Sequence, residues 1–255
     1  MDNEMQLLID KELNSDDKIL KPDFNSKTGR ELLAFYLQTK FKQILAYDKR
    51  CETPMFKDVD PTFISRFTKR LITNPAKRLL IGIAGESASG KSTVCREVKS
   101  IIERLDMPVS VLSTDNYFND ISALIKKFGS FDNLRDNGYD VDSPKSFQLD
   151  LLRQDLQDLA NGETVYAPRY VPNGTGVSIP KATKIESDKI VVVEGIAALY
   201  DDVKDVFDVK IYIETDNEVR YNRFMKRAQE ERNQDKENAM KHWQYLLDVG
   251  EKYVI

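Results

Sequence analysis

The amino-acid sequence predicts an α/β fold, a three-layer α/β/α arrangement in which helices enclose a mostly parallel sheet. Four short apolar runs have the length of buried strands, with helical segments among them: Leu79–Ala84, Val109–Ser113, Ile190–Val193 and Val209–Ile213. The first run leads through a glycine-containing loop directly into a helix. Helical patterns precede that run, so we predict a helical extension over residues 1–77 and an α/β domain over residues 78–255.

The predicted extension contains two amphipathic helices. Apolar residues recur at spacings of three and four between Arg30 and Arg50, which is typical of a helix with one buried face. A second helix begins at Asp60-Pro61, where an acidic N-cap precedes a proline of the first turn. Neither segment carries residues that indicate chemistry. We expect the extension to pack on the α/β domain or on another subunit, and we expect a homo-oligomer.

Composition argues against nucleic acid and membrane as partners. The 255 residues carry a net charge of −4, whereas a nucleic-acid-binding protein usually presents a basic face. No apolar run approaches the ~20 residues that span a bilayer, and the segment MDNEMQLLID lacks the features of a secretory signal. The cysteines, Cys51 and Cys95, form neither a disulfide framework nor a metal pattern. We therefore expect a cytoplasmic protein.

The loop from Gly85 to Ser92 fits the pattern G-x-x-x-x-G-K-[ST]. Gly85 and Gly90 permit backbone angles that turn successive N–H groups toward a phosphate chain, and the following helix N-terminus favours negative charge. Lys91 can reach the β- and γ-phosphates, and the Ser92 hydroxyl is a hard oxygen suited to Mg²⁺. Because a strand precedes the motif and a helix follows it, we interpret it as the nucleotide site of a P-loop NTPase rather than as a simple glycine turn. The predicted nucleotide-binding residues are Gly85, Glu86, Ser87, Ala88, Ser89, Gly90, Lys91, Ser92 and Thr93.

Two other predicted strands end in carboxylates, Asp115 and Glu194. Ligands of open parallel sheets bind beyond the carboxyl ends of the strands, so both side chains should face the phosphates. We expect Glu194 to act on Mg²⁺, directly or through water. Asp115 could accept the proton of an attacking hydroxyl or lie near the metal. By position alone, an Asx-type turn at the end of the strand explains Asp115 equally well.

A row of arginines follows the last predicted strand. Thr215–Glu218 has the pattern of a capping box, and it opens a helix on which Arg220, Arg223 and Arg227 share one face. Taken alone, such a row favours a solvated surface. Near a triphosphate, the same row would form a lid that neutralises charge in the transition state.

Three further elements are predicted around the site. A helix with four inward-facing leucines ends at Asn161-Gly162: Leu149, Leu152, Leu156 and Leu159. Val165–Ile179 has the pattern of a small hairpin or flap. The last helix, over residues 235–253, has an apolar side formed by Met240, Trp243 and Leu247, and we expect His242 to be structural or exposed rather than catalytic.

The ordered motifs GESASGKST, TDNYF, YDVDSPKSF, APRY, VVVEG and DVKIYIETDNEVRYNRFMKR resemble the uridine kinase and phosphoribulokinase family of P-loop kinases. The resemblance covers about residues 79–255. Bacterial pantothenate kinase is a related second match, and it too has helices ahead of its phosphate loop. The resemblance implies a phosphotransferase that uses ATP and Mg²⁺ to phosphorylate a hydroxyl of a small molecule, first of all a nucleoside. A pantothenate kinase-like or phosphoribulokinase-like acceptor is the alternative.

The resemblance also implies roles for individual residues. Asp115 matches the general base of uridine kinases, and Phe118 matches an aromatic residue beside it in the substrate pocket. Asp142 matches an acid that binds ribose hydroxyls, and Tyr170 matches the pocket tyrosine of a P-x-Y motif. The implied catalytic set comprises Asp115, Lys91 and two lid arginines that touch the phosphates, Arg220 and Arg223, and Arg227 would assist on the nucleotide.

The chain departs from the uridine kinase pattern at two places. Uridine kinases usually follow P-x-Y with Asp-Phe and a base-reading histidine, whereas Tyr170 is followed here by Val171–Thr175. The family's last apolar strand, after a final proline, is missing.

Two other classes of nucleotide-binding protein fit the sequence less well. A GTPase switch would need N-K-x-D and D-x-x-G motifs, which the chain lacks, and a catalytically inactive nucleotide-binding regulator would more typically have lost Lys91, Ser92 or Asp115.

Overall fold

The computed structural model describes residues 78–104, 108–230, 234–248 and 250–253. The predicted helical extension over residues 1–77 lies outside the described residues. In the described part the strands are β1 (Leu79–Gly85), β2 (Val109–Ser113), β3 (Val165–Tyr170), β4 (Ser178–Ile185), β5 (Ile190–Glu194) and β6 (Val209–Ile213). The helices are α1 (Lys91–Arg104), α2 (Ser122–Phe128), α3 (Phe131–Asp136), α4 (Leu149–Asn161), α5 (Asn217–Glu230) and α6 (Lys236–Asp248).

The predicted parallel sheet is confirmed, with strand order β2-β5-β1-β6. Strand β1 is central and buried along its whole length, and β5 beside it is buried at four of its five residues. Helices cover both faces of such a strand, which is why these runs are continuously apolar rather than alternating. Among the described residues, no strand of this sheet follows β6 along the chain.

The sheet register places the strand ends side by side. Glu194 at the end of β5 pairs with Ile83 of β1 on one side and with Ser113 of β2 on the other. Because the three strands are parallel, the loops that follow them emerge at the same edge. The phosphate loop, the turn that contains Asp115 and the residues after Glu194 therefore start from neighbouring positions.

Helix α4 packs its leucines on the core as predicted. Leu152, Leu156 and Leu159 are fully buried in the same cluster as Leu80 and Val191 of the sheet, and Leu149 is partly buried against it. The helix ends at Gly162, which has a φ of +92° and donates its N–H to the carbonyls of the last turn. This left-handed C-cap is the conformation that favours glycine.

The structure corrects two predictions for the C-terminal helices. Helix α5 begins at Asn217 with Asp216 as its cap, because the Asp216 carboxylate accepts the N–H of Glu218 at 2.8 Å. The predicted capping box is therefore wrong. Its Thr215 donates its hydroxyl to the carbonyl of Ser89 in the phosphate loop instead.

Helix α6 ends at Asp248, earlier than predicted, and buries a different side. Its buried residues are Ala239, His242, Trp243 and Leu246, whereas Met240 and Leu247 are 48% and 36% exposed. The small Ala239 and the ring of His242 fit against α5, where Phe224 lies edge-on to His242 with 5.1 Å between ring centroids. His242 is thus structural, as expected. None of the described helices combines the length and apolar character needed to cross a membrane.

Candidate active site

The loop between β1 and α1 has the backbone geometry of an anion cradle. Gly85 has a φ of +153°, and a Cβ there would lie 2.5 Å from the Ile213 carbonyl of β6. Gly90 has a φ of +107°, and Ala88 adopts the left-handed region at +62° although it carries a side chain. Strained positions of this kind persist where the surrounding structure holds them, often at ligand sites. The positive φ angles at Gly85 and Gly90 thus suit the anion-binding role predicted for this loop.

Lys91 reaches back across this loop. Its ammonium donates to the carbonyls of Gly85 at 2.9 Å and Glu86 at 2.8 Å. Burial lowers the pKa of Lys91, while the charges of Asp115, Glu194 and Asp142, in order of size, raise it. The charges of three carboxylates predicted for this site thus act on Lys91.

Ser92 and Glu194 meet at the mouth of the loop. The Ser92 hydroxyl, at the start of α1, donates to Glu194 Oε2 at 3.1 Å. Mg²⁺ is usually bound by one or two protein oxygens and completed by phosphate oxygens and water, rather than by an all-protein cage. A hydroxyl and a carboxylate side by side next to a phosphate cradle form a donor set that fits this ion.

Asp115 lies in the turn Thr114–Tyr117 that follows β2, and its side chain is exposed. Its neighbour across the strand ends is Gly195, the residue after Glu194. A Cβ at Gly195 would lie 3.3 Å from Asp115 Oδ1 and would overlap the hydroxyl of Thr114. Gly195, with a φ of +138°, is therefore the residue that allows the two strand ends to approach. Sequence reasoning had given this glycine no role.

Replacing Gly195 by alanine is expected to destabilise the protein by about 1–3 kcal/mol beyond the cost of a positive φ, because the new methyl group must displace Thr114. The matched control is Gly174→Ala, which also has a positive φ but has no atom within 4 Å of its added Cβ. Urea unfolding of both variants measures the difference. Equal losses of unfolding free energy would contradict the steric explanation.

The predicted acceptor residues come together beside this turn. Phe118 stacks on Phe147 with centroids 4.2 Å apart and lies 5.2 Å from the ring of Tyr170 at the end of β3. The hydroxyl of Tyr200 donates to the main-chain carbonyl of the buried Asp142 at 2.5 Å. Phe147 and Tyr200 were missed from the sequence, although Phe147 ends the quoted motif YDVDSPKSF.

Several carboxylates act on the tyrosines next to these residues. Burial raises the pKa of Tyr200, and the nearby charges of Asp142, Asp140 and Asp115 raise it further. Burial likewise raises the pKa of Tyr245, and the charges of Asp140 and Asp142 raise it further. Lys252 lies 3.5 Å from Asp140 and offsets part of this charge. The charges of three carboxylates thus act on Tyr200.

The predicted hairpin forms and extends further than expected, from β3 to the end of β4 at Ile185. It is fastened to the segment after Phe118. Ile121 donates its N–H to Gly176 at 2.8 Å, and Asp120 accepts the N–H of Ser178 at 3.0 Å. These bonds hold Tyr170 against Phe118, so the hairpin packs against the residues that the sequence predicts to bind the acceptor.

The arginine row of α5 does not share one exposed face. Arg220 is completely buried, Arg223 is half-buried with Nη1 3.3 Å from the Ser89 carbonyl, and Arg227 is exposed. The charge of Arg227 lowers the pKa of Lys91, which places it within electrostatic reach of the phosphate site. Arg220, predicted to touch the phosphates, is buried against the backbone of the phosphate loop, and its Nε donates to the Ser87 carbonyl at 3.1 Å.

Comparison with known proteins agrees with this arrangement. The family model described as phosphoribulokinase / uridine kinase family matches residues 80–254. The chain belongs to this family. Uridine kinases of Staphylococcus haemolyticus (strain JCSC1435) and Staphylococcus aureus (strain JH9) are each 36% identical to it, over 173 and 172 residues that make up 67% of this chain and 77% of each relative.

Solved structures share the fold of this phosphoribulokinase / uridine kinase family member. A crystal structure of a candidate fructose transport system kinase from Silicibacter sp. TM1040 superposes with a TM-score of 0.58 at 19% identity, over 71% of this chain and 85% of that chain. A D-glycerate 3-kinase from Cryptococcus neoformans gives a TM-score of 0.52 at 12% identity, over 75% of this chain and 85% of that chain. At these identities the likeness is one of fold alone.

Proposed function

We propose that the chain is a kinase that transfers the γ-phosphoryl group of ATP to a hydroxyl of a nucleoside. The observation that carries the proposal is the convergence of Ser92, Glu194 and Asp115 at the mouth of the phosphate loop. The Ser92 hydroxyl is 3.1 Å from Glu194, and Asp115 Oδ1 lies beside Gly195, the residue that follows Glu194. The two staphylococcal uridine kinases support the nucleoside as acceptor.

In the proposed mechanism, the loop N–H groups and Lys91 hold the triphosphate, and Arg227 adds a positive charge at the same place. Ser92 and Glu194 would hold Mg²⁺, which when bound neutralises charge on the phosphates. Asp115 orients the acceptor hydroxyl and accepts its proton as the oxygen bonds to the γ-phosphorus and the bond to the β-phosphate oxygen breaks. The transition state of such a transfer is loose, so positioning and charge stabilisation provide most of the catalysis.

The charge of the pocket favours an acceptor without a negative group. Asp115, Asp140 and Asp142 all act on Tyr200. Like charges in a partly buried site repel each other, so these carboxylates disfavour an anionic acceptor. The rings of Phe118 and Tyr170 suit a flat heterocycle. A nucleoside meets both conditions, whereas pantothenate and ribulose 5-phosphate are anions.

A coupled assay of ADP release over a panel of acceptors tests the proposal. We expect uridine, cytidine or another uncharged nucleoside to stimulate ADP release at least about 10-fold more than pantothenate, glycerate or ribulose 5-phosphate, since about 1.4 kcal/mol of repulsion suffices for this factor. Faster turnover with an anionic acceptor would support the pantothenate kinase-like or phosphoribulokinase-like alternative. ATP binding without stimulation by any acceptor would favour the nucleotide-binding regulator.

A further inference from the structure

Glu86, the first variable residue of the phosphate-loop motif, forms a nearly buried ion pair with Arg220 of α5. Glu86 Oε2 lies 2.5 Å from Arg220 Nη1, and the two side chains are 16% and 0% exposed. Charged side chains are rarely so buried unless they are paired, because removal from water disfavours the charge. The pair therefore connects the phosphate loop to helix α5. None of the steps proposed above for phosphoryl transfer uses either side chain.

Arg220 is held rigidly from its own side. Its Nη1 also donates to Asn217 Oδ1 at 2.7 Å, and its guanidinium lies over the ring of Trp243 with 5.2 Å to the ring centroid. From this fixed position, Nε donates to the main-chain carbonyl of Ser87 at 3.1 Å. The arginine thus contacts the loop twice, once through a carboxylate and once through the backbone.

A second loop carbonyl is held in the same way. The carbonyl of Ser89 accepts the hydroxyl of Thr215 at 2.8 Å and Arg223 Nη1 at 3.3 Å. In a planar trans peptide, the C=O of one residue and the N–H of the next point in opposite directions. Donors that fix the carbonyls of Ser87 and Ser89 therefore also fix the directions of the N–H groups of Ala88 and Gly90.

We propose that the Glu86–Arg220 pair is a positioning device for the nucleoside triphosphate. Glu86 holds the Arg220 guanidinium against the loop, Arg220 holds the carbonyl of Ser87, and the N–H of Ala88 is thereby directed into the phosphate cradle. The contacts that hold the Ser87–Ala88 peptide in this orientation also maintain the left-handed conformation of Ala88. The inference rests on the proposed function, since it assumes a triphosphate in the loop.

The test measures the Kd of Mg–ATP by calorimetry, without acceptor, for Glu86→Gln and Arg220→Lys. Glutamine keeps a hydrogen-bond acceptor but removes the charge. Lysine keeps the charge but lacks the planar guanidinium group that contacts Glu86 and Ser87 at the same time. We expect each variant to raise the Kd of Mg–ATP about 10-fold to 100-fold, which is the factor for one lost hydrogen bond to a charged group. The KM of the acceptor should stay within about twofold of the wild-type value. The double variant should be no weaker than the single ones, because both act through one contact.

The matched control is Asp132→Asn, which weakens another buried arginine pair at Arg135, 2% exposed and 2.8 Å from Asp132. We expect this variant to lower Tm without changing the Kd of Mg–ATP. Glu86→Gln and Arg220→Lys with lowered Tm and an unchanged Kd would overturn the inference. If either fails to fold, Glu86→Asp takes its place, because it keeps the charge but shortens the reach to Arg220, and an unchanged Kd there would likewise overturn the inference. Wild-type protein that does not bind Mg–ATP would instead overturn the proposed function, and this inference with it.

Discussion

Asp115→Asn is expected to lower turnover by about 10²-fold or more while the affinity for Mg–ATP stays nearly unchanged. Asparagine has almost the same shape as aspartate, so the turn after β2 and its packing against Gly195 are kept. It cannot accept the proton of the acceptor hydroxyl. The effect should therefore fall on kcat and on kcat/KM alike, as for an interaction made only in the transition state.

The measurement is steady-state ADP release with the preferred acceptor, together with calorimetric binding of Mg–ATP. Asp150→Asn is the matched control, because Asp150 is an exposed aspartate in the first turn of α4. Turnover of Asp115→Asn within about twofold of the control would remove Asp115 from the proposed role and would favour the explanation of Asp115 as a turn residue.

Lys91→Met is expected to lower kcat/KM for ATP by about 10²–10³-fold, the loss typical of removing one charge-stabilising donor from an active site. Lys91 bridges the loop through the carbonyls of Gly85 and Glu86 and lies near Asp115, Glu194 and Asp142. Methionine preserves the length of the side chain and removes the charge. Without the Lys91 ammonium, the three carboxylates would repel the phosphates more strongly.

Lys99→Met on the same helix is the control, since the Lys99 ammonium lies 3.6 Å from Glu103 on the partly exposed side of α1. Initial rates at varied ATP and saturating acceptor give kcat/KM for both variants. A Lys91→Met enzyme with the kinetics of the control would show that the ammonium does not act on the phosphates.

The parts of the site that could be predicted from the sequence depend on residues close together in the chain or on the general geometry of a parallel sheet. The strands Val109–Ser113 and Val209–Ile213 were predicted with the boundaries observed, because each is a short run rich in branched aliphatic residues, although as outer strands of the described sheet they are only partly buried. The loop from Gly85 to Ser92 was predicted because its two glycines and the Ser92 hydroxyl lie in one short, continuous segment of the sequence. The meeting of Ser92 and Glu194 followed from the rule on strand ends.

The parts that were missed depend on partners distant in the chain. Arg220 looks like its neighbours on a helical wheel, and its burial depends on Glu86 and Ser87, which lie 134 and 133 residues earlier. Thr215 has the sequence of a cap, but the carbonyl of Ser89 competes for its hydroxyl. Phe147 joins the acceptor pocket through a bridge with Phe118 that no periodicity indicates.

Transfer of labelled phosphate tests the central claim most directly. The protein is incubated with Mg²⁺, ATP labelled at the γ-phosphate and a nucleoside, and the products are separated. The proposed function predicts that the label appears in a phosphomonoester of the nucleoside, in amounts equal to the ADP formed, and that Asp115→Asn lowers both together. Label found only in inorganic phosphate, at a rate that the nucleoside does not change, would contradict it.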